Sequence, residues 1–201
     1  MDSIRLAALQ LDRMRGMNAM YHRRFFSDIR FTIVATIAIL ALGAGLHSAF
    51  FLAVPVVALL GAAQTAFDAS YLIFSRHYAT RLERYLNSRI EDPVLIAHLL
   101  EDAYLFPLSS RKVVTLAFGP GFSWFGWMTV LYTATGLAAY GTGAYLSLQV
   151  LDDIGSRALA ATYLVSLSVI TVVTVGVGLW WFVGGEGERR LAAVLDNEFP
   201  A

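Results

Sequence analysis

The chain contains no cysteine. That excludes disulfides, thiolate metal sites, iron–sulfur ligation and cysteine nucleophiles together. Histidine is scarce: His22, His47, His77 and His98 are scattered, and no two stand at the spacing of a metal motif. Charge is also thin, at 15% of residues, against about 25% in a soluble domain. Fifteen basic residues are matched by fifteen acidic ones, so no basic field points to nucleic acid. Walker A, GxSxG and HExxH motifs are all missing. Gly184-Gly185-Glu186-Gly187 follows no strand pattern and reads as an exit from an apolar run, not a phosphate cradle. No period-2 alternation supports a membrane β-barrel. These absences leave no cofactor, no metal and no catalytic constellation to propose, and the expectation is a non-enzyme.

What is there is apolar: 57% hydrophobic residues with a mean hydropathy of +0.60. Four stretches stand out, at 31–46, 49–74, 122–150 and 158–183, and Asp68 is the one charge among them. About 20 apolar residues cross a 30 Å hydrocarbon core as a helix. The last three are long enough, and the first borrows Phe25, Phe26 and Ile29. The pattern predicts an all-α integral membrane protein with four transmembrane helices in two hairpins. Apart from Arg157, every lysine and arginine falls before the first stretch, between the second and third, or after the fourth. The positive-inside rule places those segments, and both termini, in the cytoplasm. Trp124, Trp127, Trp180 and Trp181 would form an aromatic belt at that face. The expected location is a bacterial cytoplasmic membrane, entered without a cleavable signal, since residues 1–25 lack a short apolar core.

The expected organisation is an amphipathic cytoplasmic helix at 1–28, a membrane hairpin at 29–75, a cytoplasmic helical linker at 76–121, a second hairpin at 122–183 and a cytoplasmic tail at 184–201. Ile4, Ala7, Leu11, Met14, Asn18, Tyr21 and Phe25 follow an a/d heptad seam with one polar residue. Two uses fit it. A helix lying on the inner leaflet would direct its arginines to anionic lipids. A self-associating helix would use Leu11, Met14 and Tyr21 as contacts, with Asn18 fixing register. In the linker, Asp92-Pro93 is expected to start a helix carrying Leu95, Ile96, Leu99, Leu100 and Ala103 on its apolar side. His98, Glu101 and Asp102 would then form a solvated polar face.

Inside the spans, Asp68 has Gln64 one turn before it, and Arg30 stands at a similar depth on the first span. An Arg30–Asp68 pair, or an ion path through Asp68, would each account for a carboxylate there. Thr129, Tyr132, Thr133, Gly136, Tyr140, Gly143 and Ser147 share one face of the third span, and Ser168, Thr171 and Gly178 make a similar row on the fourth. Such a stripe lines a water-filled path or lets helices approach and hydrogen-bond in lipid. The expected function is a homo-oligomeric channel controlled from its cytoplasmic helices. The alternative is a membrane scaffold that binds a cytosolic or membrane partner.

Overall fold

The computed structural model describes residues 3–90, 94–108, 112–113, 116–117 and 122–198. Helix α1 (Ser3–Gly45) is followed by a 3-10 turn (Ser48–Ala53), α2 (Val54–Asn87) and α3 (Ala97–Tyr104). Strands β1 (Lys112–Val113) and β2 (Leu116–Ala117) pair antiparallel. They are followed by α4 (Trp124–Ile154), α5 (Arg157–Gly178), a π-helical turn (Leu179–Val183) and α6 (Glu186–Glu198). The fold is all-helical apart from that two-residue-per-strand hairpin. Three elements are long and apolar enough to cross a membrane: α1, the 3-10 turn with α2, and α5 with its π turn. Helix α4 has the length, at 31 residues, and no charge before Asp152. Its glycines, threonines and tyrosines dilute its apolar content.

Helix α1 runs unbroken through residue 28, joining the amphipathic segment to the first apolar stretch without a turn. No proline precedes Pro55, which sits in the first turn of α2, where its missing N–H is not needed. The 184–201 tail holds a helix, α6. Its start follows Gly185, which adopts φ +68, a conformation open to glycine without strain. The turn between α4, ending at Ile154, and α5, starting at Arg157, is tighter than the gap between the 122–150 and 158–183 stretches. Gly155 (φ +70) donates its N–H to the Asp152 carbonyl, and Ser156 Oγ accepts from Leu159 N at 3.4 Å to cap α5.

The chain divides into two compact units. One, Phe26–Ala66 with Val130–Leu179, carries only Asp28, Arg30, Asp152, Asp153 and Arg157 as charges. In this apolar unit small residues set the packing. A Cβ on Gly61 would strike Thr32, one on Gly43 would strike Phe51, and one on Gly143 would lie 2.6 Å from Val54 Cγ1. The backbones of α1, α2 and α4 therefore approach closely, as membrane helices do when small residues face each other.

The other unit, Met1–Phe25, Phe67–Thr129 and Trp180–Ala201, holds the remaining charges. Its core is a seam in which Ala7, Leu11 and Met14 of α1 bury against Ala79, Leu82 and Leu86 of α2. Tyr21 stacks on Tyr71 with ring centroids 4.5 Å apart, and Phe25 and Phe106 both pack on Phe125. The heptad seam is thus covered by α2 of the same chain, a use that neither expectation for it included.

Candidate functional site

Two polar constellations are candidates, one in each unit. In the charged unit, α2 presents Arg76 and Glu83 seven residues apart on one face, and both are almost fully buried. Arg76 Nε donates to Glu101 Oε2 at 3.1 Å and Nη2 to Asp102 Oδ1 at 2.9 Å. Its Nη1 donates to the Phe106 carbonyl at 3.0 Å, with that ring 4.4 Å beneath the guanidinium. A buried arginine is stable only with such saturation, because its hydration is lost. Arg15 of α1 bridges Glu83 and Glu101, and Asn18 Nδ2 reaches Glu101 Oε1 at 3.5 Å. Glu83 Oε2 also accepts the His98 backbone N–H at 3.0 Å and sits 2.8 Å from His98 Nδ1. Asp102 Oδ1 accepts in addition from Leu108 N at 3.2 Å.

Burial chiefly, with the field of Arg84 and then Arg15, holds the His98 imidazole below its ordinary pKa of 6.5. Asp102 and Glu101 act in the opposite direction. A neutral imidazole hydrogen-bonded to Glu83 follows, at the edge of a network in which two guanidinia meet three carboxylates directly.

This arrangement corrects the reading of the linker helix. His98, Glu101 and Asp102 were expected to face solvent, yet they face α1 and α2, and His98 is 9% exposed. Leu99 and Leu100, expected to be buried, are 57% and 61% exposed. Arg76, Arg15 and Glu83 are the reason: each guanidinium on the neighbouring helices needs an acidic partner, and α3 supplies two. The helix also begins at Ala97, later than Asp92-Pro93, which lie outside the described residues. No side chain caps it; Asn87 instead clamps the preceding strand of chain by two bonds to Leu95, at 2.8 and 3.1 Å.

In the apolar unit the hydroxyl rows meet. Tyr140 OH lies 2.7 Å from Thr171 Oγ1, which donates to the Leu167 carbonyl at 2.7 Å. Ser147 Oγ lies 3.2 Å from Tyr163 OH and within 3.1 Å of the Phe51 carbonyl. Tyr163 OH donates to the Leu52 carbonyl at 2.8 Å. The Phe51 carbonyl also accepts the Val54 N–H, whereas Pro55, three residues after Leu52, has no N–H to offer, so the Tyr163 hydroxyl supplies a donor there.

The other expected residues scatter. Gly143 packs on Val54 and Pro55, Gly136 has open space around its Cβ direction, and Thr133 and Ser168 are exposed. Thr129 Oγ1 bonds the Phe125 carbonyl of its own helix at 3.0 Å. Arg30 is exposed, with Nε on the Phe26 carbonyl at 3.2 Å, whereas Asp68 is fully buried and Gln64 is exposed. Leu11 and Met14 are buried in the α1–α2 seam, Tyr21 stacks on Tyr71 and Asn18 leans on Glu101. Ser147 belongs to the third-span stripe read from the sequence; sequence reasoning missed Arg15, Arg76, Glu83 and Tyr163. The i, i+7 spacing of Arg76 and Glu83 was the one signal available for the first unit. No protein-family model, curated protein sequence or solved structure matches the chain, so its function is argued from this geometry alone.

Proposed function

We propose that this protein is a non-catalytic membrane scaffold, in which four helices anchor a charge-knit cytoplasmic unit. In this reading the apolar unit spans a bacterial cytoplasmic membrane, both termini lie inside, and the chain works as a homo-oligomer. The near absence of charge from the apolar unit supports the division at the bilayer. Arginines beside the aromatic residues of the other unit, such as Arg190 over Trp180 and Trp181 at 5.4 and 5.9 Å, suit contact with anionic headgroups. The observation that carries the scaffold over the channel is the use of the hydroxyl rows. Tyr140, Thr171, Ser147 and Tyr163 are spent on bonds between helices and to the 3-10 turn. A water path needs such groups turned to water.

The channel is the second reading, and one observation favours it. Thr133 and Ser168 are exposed on the apolar unit, and Gly136 leaves open space, as a face lining a pore between copies would. Flux from proteoliposomes separates the two. The scaffold is expected to leave potassium, chloride and proton gradients intact at every protein density. A conductance that Gly136→Leu blocks would establish the channel instead.

A further inference from the structure

The turn between α1 and α2 holds a titratable group that neither the scaffold nor the channel uses. His47 is extended (φ −155, ψ 124) at the start of the 3-10 turn, and its Nδ1 accepts the Ala49 N–H at 3.1 Å. A backbone N–H can only donate, so Nδ1 carries no proton and the ring is the neutral Nε2–H tautomer. The first N–H groups of a helical turn find no carbonyl within it. Phe50 N reaches back to the His47 carbonyl at 3.1 Å, whereas Ala49 N is held by the imidazole. The His47 N–H donates to the Leu42 carbonyl at 3.2 Å and closes the end of α1. The ring itself is exposed, so water delivers a proton to it without any rearrangement of the core.

What this cap starts is the junction of the apolar unit. The Phe51 ring lies against Gly43 of α1, and the Phe51 carbonyl is 3.1 Å from Ser147 Oγ of α4. The Leu52 carbonyl accepts from Tyr163 OH of α5 at 2.8 Å. Three helices besides α2 therefore meet on a six-residue turn. Asp152 and Asp153 at the end of α4 and Arg157 at the start of α5 are the charges at this end of the unit. From Phe31 of α1 to Phe67 of α2 the chain brings none. The phenols of Tyr145 and Tyr163 do not ionise where histidine does. A carboxylate can hold an imidazolium, but it cannot restore the acceptor that Ala49 loses. We infer that His47 is an acid-sensitive latch: a second proton on its ring releases Ala49 and loosens the turn that joins the α1–α2 hairpin to α4 and α5. The bond is present while the ring is neutral and is lost as pH falls, within the range of about pH 5 to 8 in which histidine changes charge. In the four-span reading the turn faces away from the cytoplasm, so the latch responds to the medium outside. That sidedness rests on the proposed topology; the latch does not.

Amide hydrogen exchange of the full chain in nanodiscs, where both faces meet one pH, tests the latch independently of topology. After correction for the intrinsic pH dependence of exchange, protection of residues 49–54 is expected to fall roughly threefold or more between about pH 7.5 and about pH 5. His47→Asn keeps a side-chain acceptor that does not titrate, so its protection should stay high at both values. His47→Leu removes the acceptor and should give low protection at both. Equal protection of the wild type at the two values would overturn the inference, as would an asparagine variant that falls as far as the wild type. Should His47→Leu fail to fold, nitrogen-15 NMR of labelled histidine rings replaces it. The ring signals lost in His47→Asn are expected to show an unprotonated Nδ1 at about pH 7.5, and a protonated Nδ1 there would overturn the inference. A cysteine at Ser48 that labels only from the cytoplasmic side would refute the sidedness and leave the latch standing.

Discussion

Arg76 is the residue on which the charged unit turns. Its side chain is 2% exposed and its guanidinium holds two carboxylates, a carbonyl and an aromatic face. Arg76→Met would leave Glu101 and Asp102 half-buried beside one another with Arg15 as the remaining partner. Breaking a buried pair from one side costs about 3–5 kcal/mol, so the thermal midpoint of the charged unit should fall sharply. Arg76→Lys should recover only part, because an ammonium cannot present the planar fork. Differential scanning calorimetry or circular dichroism melts would measure both, and wild-type stability in Arg76→Met would remove the network from the account. His98 gives a pH dependence of known sign. Its pKa is lower folded than unfolded, so the unfolded chain binds the proton more readily and stability declines as pH falls below 6.5. Melts at about pH 7.5 and about pH 5.5 should differ for the wild type, with the lower stability at acid pH. The difference should shrink in His98→Gln; an undiminished slope there would place the titration elsewhere.

At the scale of elements, the decisive contrast lies between two glycines on α4. Gly143 has Val54 and Pro55 within 2.9 Å of where a Cβ would stand, and Gly136 has nothing within 4 Å. Gly143→Leu is expected to destabilise the apolar unit by about 1–3 kcal/mol or more through overpacking. Gly136→Leu should leave the melting of the same preparation unchanged. Equal effects would mean that α4 is rotated from the orientation described here. The long apolar runs made α1, α2 and α5 legible in the sequence, because length and hydropathy are local properties. The heptad seam was legible as a stripe, but its partner was not: Leu11 and Met14 pair with Leu82 and Leu86, about 70 residues away, and periodicity carries no address. The reversal of α3 was hidden for a related reason. On its own, Leu99 and Leu100 against Glu101 and Asp102 read as core against solvent. Arg76 and Glu83, buried on α2, make the charged side the inner one.

At the scale of the molecule, the sequence places charge and the structure groups it. The helices divide into an apolar unit with five charged residues near its ends and a unit holding all the others. The central claim is that this division coincides with the bilayer, which requires α4 to cross it despite its glycines and hydroxyls. The absence of cysteine makes the test clean. Single cysteines at Ser3, Ser48, Ser88 and Ser156, in intact cells treated with a membrane-impermeant maleimide, report on each side directly. Ser48 and Ser156 are expected to label, and Ser3 and Ser88 only after the membrane is permeabilised. Labelling of Ser88 and Ser156 from the same side would contradict the account, since α4 lies between them and would then not cross.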